Sequence, residues 1–153
     1  MQRDWRFCSK CSGMFFNGGN NDGVCPTGGG HQAQGFNFVL PHDVNETAQA
    51  QGAWRFCNKC SGMFFNGSSS EGVCPAGGGH QAQGFNFVLP HDVSETAQAQ
   101  GAWRFCSKCS GMFFNGSGNE GVCPTGGGHQ AQGFNFVLAH EGGSSQGGAV
   151  KFD

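Results

Sequence analysis

The stretch WRFCSKCSGMFFNG, residues 5–18, returns as WRFCNKCSGMFFNG at 54–67 and again as WRFCSKCSGMFFNG at 103–116. The interval is 49 residues each time, and residues 5–53 differ from 54–102 at only seven positions. Four of the seven fall in one short loop, 19–22 against 68–71. A period of this length marks a repeat architecture, in which each unit is one supersecondary element that buries its apolar face against its neighbours. The chain therefore divides into repeat 1 (5–53), repeat 2 (54–102), repeat 3 (103–145) and a fragment, 146–153. That fragment, QGGAVKFD, echoes the start of a repeat, QGAWRF, without the cysteines that follow it.

Composition limits what can hold such units together. The 153 residues include 16 Phe and 29 Gly but no Ile, and the branched aliphatic content is too low for an ordinary core to sustain itself. A net charge of −2 is also too small for the high-charge composition of a disordered chain. Some other staple is required, and the cysteines supply it. Each repeat reads C-x2-C-x13-C-x5-H: Cys8, Cys11, Cys25 and His31; Cys57, Cys60, Cys74 and His80; Cys106, Cys109, Cys123 and His129. Three thiolates and an imidazole suit a closed tetrahedral Cys3His site, so three structural Zn2+ ions are expected. In CSKCSG, Gly13 lets the backbone fold so that amides reach the thiolates. In CPTGGGH, Pro26 begins a turn and Gly28–Gly30 give the chain freedom to return His31.

A disulfide framework fails on arithmetic, because nine cysteines leave an odd thiol in every repeat or force bridges that break the repeat symmetry. A redox role for the CxxC pair lacks the βαβ surroundings it needs. The fourth ligand has a rival. Each repeat carries a second histidine beside a carboxylate: His42–Asp43, His91–Asp92 and His140–Glu141. These pairs are read as solvated turns, as alternative metal ligands or as a separate ligand-binding site. The shorter loop from Cys25 favours His31 as the metal ligand.

Between the ligands the pattern is all-β. WRF places Trp5 and Phe7 on one face and Arg6 on the other, GFNFVL does the same with Phe36, Phe38 and Leu40, and GMFF runs into the tight-turn pair Asn17–Gly18. With GVCP as a further brief strand, about four strands per repeat and about twelve in all are expected. HDVNETAQAQGA has no apolar stripe and reads as a connector. The favoured fold is a single pseudo-three-fold closed β domain of β-trefoil-like plan. Three zinc-knuckle beads in tandem are the alternative, and a small propeller or open solenoid is the remaining choice.

The run WRFC-x-KC-x-GMFFNG, the CP-x-GGGH turn and GFNFVLPHD together resemble a bacterial Cys-rich tandem repeat, often present in several copies and sometimes appended to secreted proteins. The resemblance covers nearly the whole chain, departs at Leu138–Ala139–His140–Glu141, and implies no particular activity. DWRFCSKC is more weakly similar to the Ran-binding-protein type of zinc finger, which implies single-stranded RNA binding. That finger closes its site with a second Cys pair, where this chain has Cys25 and His31.

Function is weighed against these features. Four ligands close each metal site, whereas a catalytic zinc keeps a position open, so no enzyme is expected. Zinc with three thiolates adds about −1 per site, and only eight basic residues are present, which disfavours nucleic acid as a partner. Arg6 and Lys10, which flank the thiolates, are read as moderating their charge. Polar and planar-aromatic groups (Asn17, Gln32, Gln34, Asn37, His42, Asp43 and exposed phenylalanines) point to a multivalent, lectin-like binding module for a glycan or another protein. Homo-oligomers joined through the terminal strand, and a single-stranded nucleic-acid-binding finger array, are the alternatives. No signal peptide or membrane-length apolar stretch is read in this chain, which is consistent with a cytoplasmic protein or one secreted as part of a larger system.

Overall fold

The computed structural model describes residues 1–19 and 21–141. The 146–153 fragment lies outside them. Every regular element among the described residues is a strand: β1 (Gln2–Cys8), β2 (Met14–Phe16), β3 (Ala33–Leu40), β4 (Ala50–Cys57), β5 (Met63–Phe65), β6 (Ala82–Pro90), β7 (Ala99–Cys106), β8 (Met112–Phe114) and β9 (Ala131–Ala139). They form three antiparallel sheets, β2-β1-β3, β5-β4-β6 and β8-β7-β9, one per repeat.

The count is nine strands among the described residues, not twelve. The expected GVCP strand does not form, because its amides are used elsewhere. Val24 N–H donates to the Cys60 carbonyl of the next repeat, and Cys25 N–H closes a turn on the Gly29 carbonyl. The 41–49 connector contains no helix.

Two irregularities shape each sheet. Between Trp5↔Phe38 and Phe7↔Gln34, β3 carries two residues more than β1, so the strand bulges at Gly35–Phe36. Gly35 sits at φ 79°, a conformation that costs a glycine nothing. A bulge leaves carbonyls without ladder partners. Arg6 takes them, its Nε donating to Phe36 O and its Nη2 to Gly35 O, both at 3.0 Å. The second irregularity, on β1, places Asp4 at φ 74°, where the Asn37 side chain accepts from Asp4 N–H at 2.7 Å. Ala53 with Asn86 and Ala102 with Asn135 repeat the arrangement.

The sheets share one core. Trp5, Met14, Phe38 and Leu40 bury against their counterparts from both other repeats. The rings interlock in a cycle. Trp5 packs edge-on against Phe56 and Phe87, Trp54 against Phe105 and Phe136, and Trp103 against Phe7 and Phe38. Backbone bonds run round the same cycle: Phe16 N–H to Ser61 O, Phe65 N–H to Ser110 O and Phe114 N–H to Ser12 O. The last of these returns repeat 3 to repeat 1, so the contacts close into a ring. Each repeat alone would expose a tryptophan that is 0% accessible in the ring.

Candidate metal centres

In each repeat the turn after the first long strand carries two cysteines, and the loop before the second long strand brings the third cysteine and the histidine to meet them. Cys8 ends β1, and a turn closed by Ser12 N–H on the Cys8 carbonyl at 2.8 Å sets Cys11 beside it, after which Ser12, at φ 71°, redirects the chain into β2. Lys10 then anchors the facing loop by donating from Nζ to the carbonyls of Gly28 and Gly30, both at 2.8 Å. The loop folds because Gly28 and Gly29 sit at φ 107° and 67°. The outcome is three buried groups, Cys8–Cys11–Cys25–His31, Cys57–Cys60–Cys74–His80 and Cys106–Cys109–Cys123–His129, with all ligand atoms of a group within 4.8 Å of one another.

The separations discriminate between chemistries. Two thiolates at ~2.3 Å from one tetrahedral ion stand ~3.8 Å apart, and a thiolate and an imidazole nitrogen stand ~3.6 Å apart. The Cys8–Cys25, Cys57–Cys74 and Cys106–Cys123 sulfurs are 3.9, 3.8 and 3.9 Å apart. The Cys11, Cys60 and Cys109 sulfurs lie 3.6, 3.7 and 3.6 Å from Nδ1 of His31, His80 and His129. A disulfide needs about 2.05 Å, and all nine cysteines are free.

Protonation follows the same geometry. Hydrogen bonding from the Cys11 thiol, together with the Gln32 amide, pulls the Cys8 thiol down to about 3. It pulls Cys25 down to about 6, with Thr27 assisting. The bonds to Cys25 and Cys8, with burial, drive Cys11 well above the ordinary thiol range. Three sulfurs and one imidazole nitrogen thus converge on a single buried point, which is the position a cation takes. Gly13 N–H and Gln32 N–H add donors to the sulfurs of Cys11 and Cys8, each at 3.4 Å.

The outward nitrogen of each histidine is also engaged. His31 Nε2 lies 3.1 Å from the Cys60 carbonyl, His80 Nε2 3.0 Å from that of Cys109, and His129 Nε2 3.1 Å from that of Cys11. A carbonyl only accepts, so Nε2 carries the proton and Nδ1 keeps its lone pair for a metal. The acceptor belongs to the next repeat's ligand turn. Each ring is further fixed by stacking on Phe15, Phe64 or Phe113 at 4.7 Å.

The second histidines lie elsewhere. His42 stacks on Phe85 of the next repeat at 3.7 Å and pairs with Asp43 through Nδ1 at 2.9 Å. His91 does the same with Phe134 and Asp92, and His140 stacks on Phe36, while Glu141 ion-pairs with Arg3. None of them joins a metal cluster. Arg6 also departs from its expected place beside the thiolates, since it serves the bulge carbonyls; its position between two apolar strand residues carried no signal of that.

The fold and the three clusters define an all-β repeat protein with three Cys3His sites that can each hold a metal ion. No family model, curated protein or solved structure matches the chain. Among the described residues no helix is long and apolar enough to cross a membrane.

Proposed function

We propose that this chain is a non-catalytic binding module, stapled by three zinc ions and offering three equivalent, lectin-like sites to neutral ligands. The observation that carries the metal-stapled frame of this reading is the agreement of the sulfur–sulfur and sulfur–nitrogen separations with a closed tetrahedron, repeated three times. Zinc fits because three soft thiolates and one imidazole are its preferred structural donors. A site filled by four protein ligands leaves no place for a substrate, which supports a structural use of the metal. The zinc holds the frame, and binding falls to the surface between repeats.

Multivalency follows from the ring. Three equal weak sites on one rigid body raise avidity for a polymeric ligand through effective concentration. The scarcity of basic residues, eight in the chain, argues against a phosphate-tracking surface. Two measurements test the reading: metal analysis of the purified chain, with three zinc ions expected, and a screen on an array of neutral and charged glycans, with retention on neutral members expected. Fewer than three ions, or retention on charged members alone, contradicts it.

A further inference from the structure

Between neighbouring repeats the aromatic core opens to the surface in a cleft. At the junction of repeats 2 and 3 its walls include Phe65, Phe105, Gln132 and Phe134, and its volume is about 410 Å³. The same repeat positions, Phe114, Phe7, Gln34 and Phe36, wall a cleft of about 230 Å³ between repeats 3 and 1. The repeat places Phe16, Phe56, Gln83 and Phe85 at the corresponding positions between repeats 1 and 2. No Asp, Glu, Lys, Arg or His lines either of the first two clefts.

One wall is unusual at two of these junctions, and its counterpart Phe36 at the third is half-buried. Phe134 and Phe85 are 41% and 42% accessible, although the chain has a core short of apolar groups. They are put there by the bulge, and they are held there. Arg104 fixes the carbonyls of Phe134 and Gly133 from below, both at 3.0 Å, and Arg55 does the same for Phe85 and Gly84. One face of each ring is then covered by an imidazole: His91 lies on Phe134, tilted by 8°, and His42 on Phe85, tilted by 7°. His140 covers Phe36 in the same way, tilted by 3°. Bulges that re-aim a side chain cluster next to functional sites. A ring whose backbone and one face are already immobilised loses little freedom when something stacks on it.

We propose that these clefts are the ligand sites of the module, and that each takes one neutral sugar ring stacked on Phe36, Phe85 or Phe134, its hydroxyls met by the amide of Gln34, Gln83 or Gln132. A pyranose offers a flat C–H face to an aromatic ring and hydroxyls around its edge to a group that both donates and accepts. The absence of charge in the walls disfavours carboxylated or phosphorylated ligands, which would be desolvated without compensation. This assignment names the site of the binding reading above and rests on it. His42 and His91, each with its aspartate, and His140 then act as positioning groups for the platforms and touch no sugar.

The test is an NMR titration of the zinc-loaded full chain with cellotetraose, tetra-N-acetylchitotetraose, galactotetraose, mannotetraose and a decaproline peptide. Saturable shifts at the amides of residues 34–36, 83–85 and 132–134 with at least one saccharide are expected. Phe134→Ala should silence one cleft of the three and lower avidity for a surface coated with that saccharide on the order of tenfold. Phe134→Leu, which keeps apolar volume without a ring plane, should do the same while three metals remain bound. Saccharide shifts elsewhere on the surface, unmoved by these variants, overturn the clefts but leave the lectin-like reading. Shifts in the clefts with decaproline alone make them peptide sites and overturn the sugar assignment. No shift with any saccharide, in a chain carrying three zinc ions, overturns the sugar ligand and leaves only the metal-stapled frame.

Discussion

The metal clusters and the aromatic core solve different problems with different logic. Each cluster draws its four ligands from one repeat, within the 24 residues from Cys8 to His31 and their counterparts. The core draws on all three repeats at once, and no tryptophan in it is buried by its own repeat alone. A purely local cluster would give beads, and a core with so few aliphatic side chains needs a staple. The two are joined at the outward nitrogen of the ligand histidine, which reaches the next repeat's Cys60, Cys109 or Cys11 carbonyl. The ligand histidine of each site is thereby held by the repeat that follows it in the ring.

The strongest way to break this comparison is to separate the two regions. A fragment spanning 54–102 contains one complete ligand set, yet Trp54 would lose Phe105 and Phe136. It should remain unfolded with zinc present, judged by poor dispersion in its NMR spectrum, because a repeat cannot bury its face alone. A dispersed, monomeric, zinc-dependent spectrum would instead show that the cluster suffices.

A smaller effect is expected where the two regions touch. Gly23 sits at φ 71°, and a Cβ there would lie 2.0 Å from the Cys60 carbonyl oxygen, the same atom that His31 Nε2 approaches. Gly23→Ala should cost about 1–3 kcal/mol in a denaturant titration, since it forces both a strained φ and a shift of the neighbour's ligand turn. An unchanged midpoint would mean that the seam is softer than these contacts imply.

The smallest effect belongs to the second histidine and is seen against the loss of a metal ligand. His31→Ala should remove one of the three metals. His42→Ala should leave all three and lose only its stacking on Phe85 at 3.7 Å, roughly 0.5–1.5 kcal/mol. Metal content with each variant decides the matter, and loss of zinc on changing His42 would reverse the ligand assignment.

Much of this was legible in the sequence, for a physical reason. A metal site depends on ligand identity and loop length, both local, so C-x2-C-x13-C-x5-H specified the cluster and favoured His31 over His42. The all-β character followed from alternation in WRF and GFNFVL. What could not be read was anything set by the next repeat. The GVCP segment has the composition of a strand, but Val24 N–H donates to the Cys60 carbonyl of the next repeat. Straight alternation placed Phe36 with Phe38 and Leu40, but the bulge at Gly35–Phe36 leaves Phe36 half-buried while the other two are enclosed. The bulge is stabilised by Arg6, 29 to 30 residues away in sequence, so no local pattern announces it. The loop 19–22, where repeats differ most, is exposed at all its described positions, and its one repeated side-chain role is met by either Asn or Ser: Asn21, Ser70 and Asn119 accept from the N–H of Gly23, Gly72 and Gly121.

The central claim is that three closed Cys3His sites staple the ring, and X-ray absorption at the zinc edge, with the metal content of the same sample, tests it most directly. Three zinc ions per chain should be found, each with three sulfurs at about 2.3 Å and one nitrogen at about 2.0–2.1 Å. Oxygen donors in the first shell, four sulfurs, or fewer than three ions in fully folded protein would contradict it.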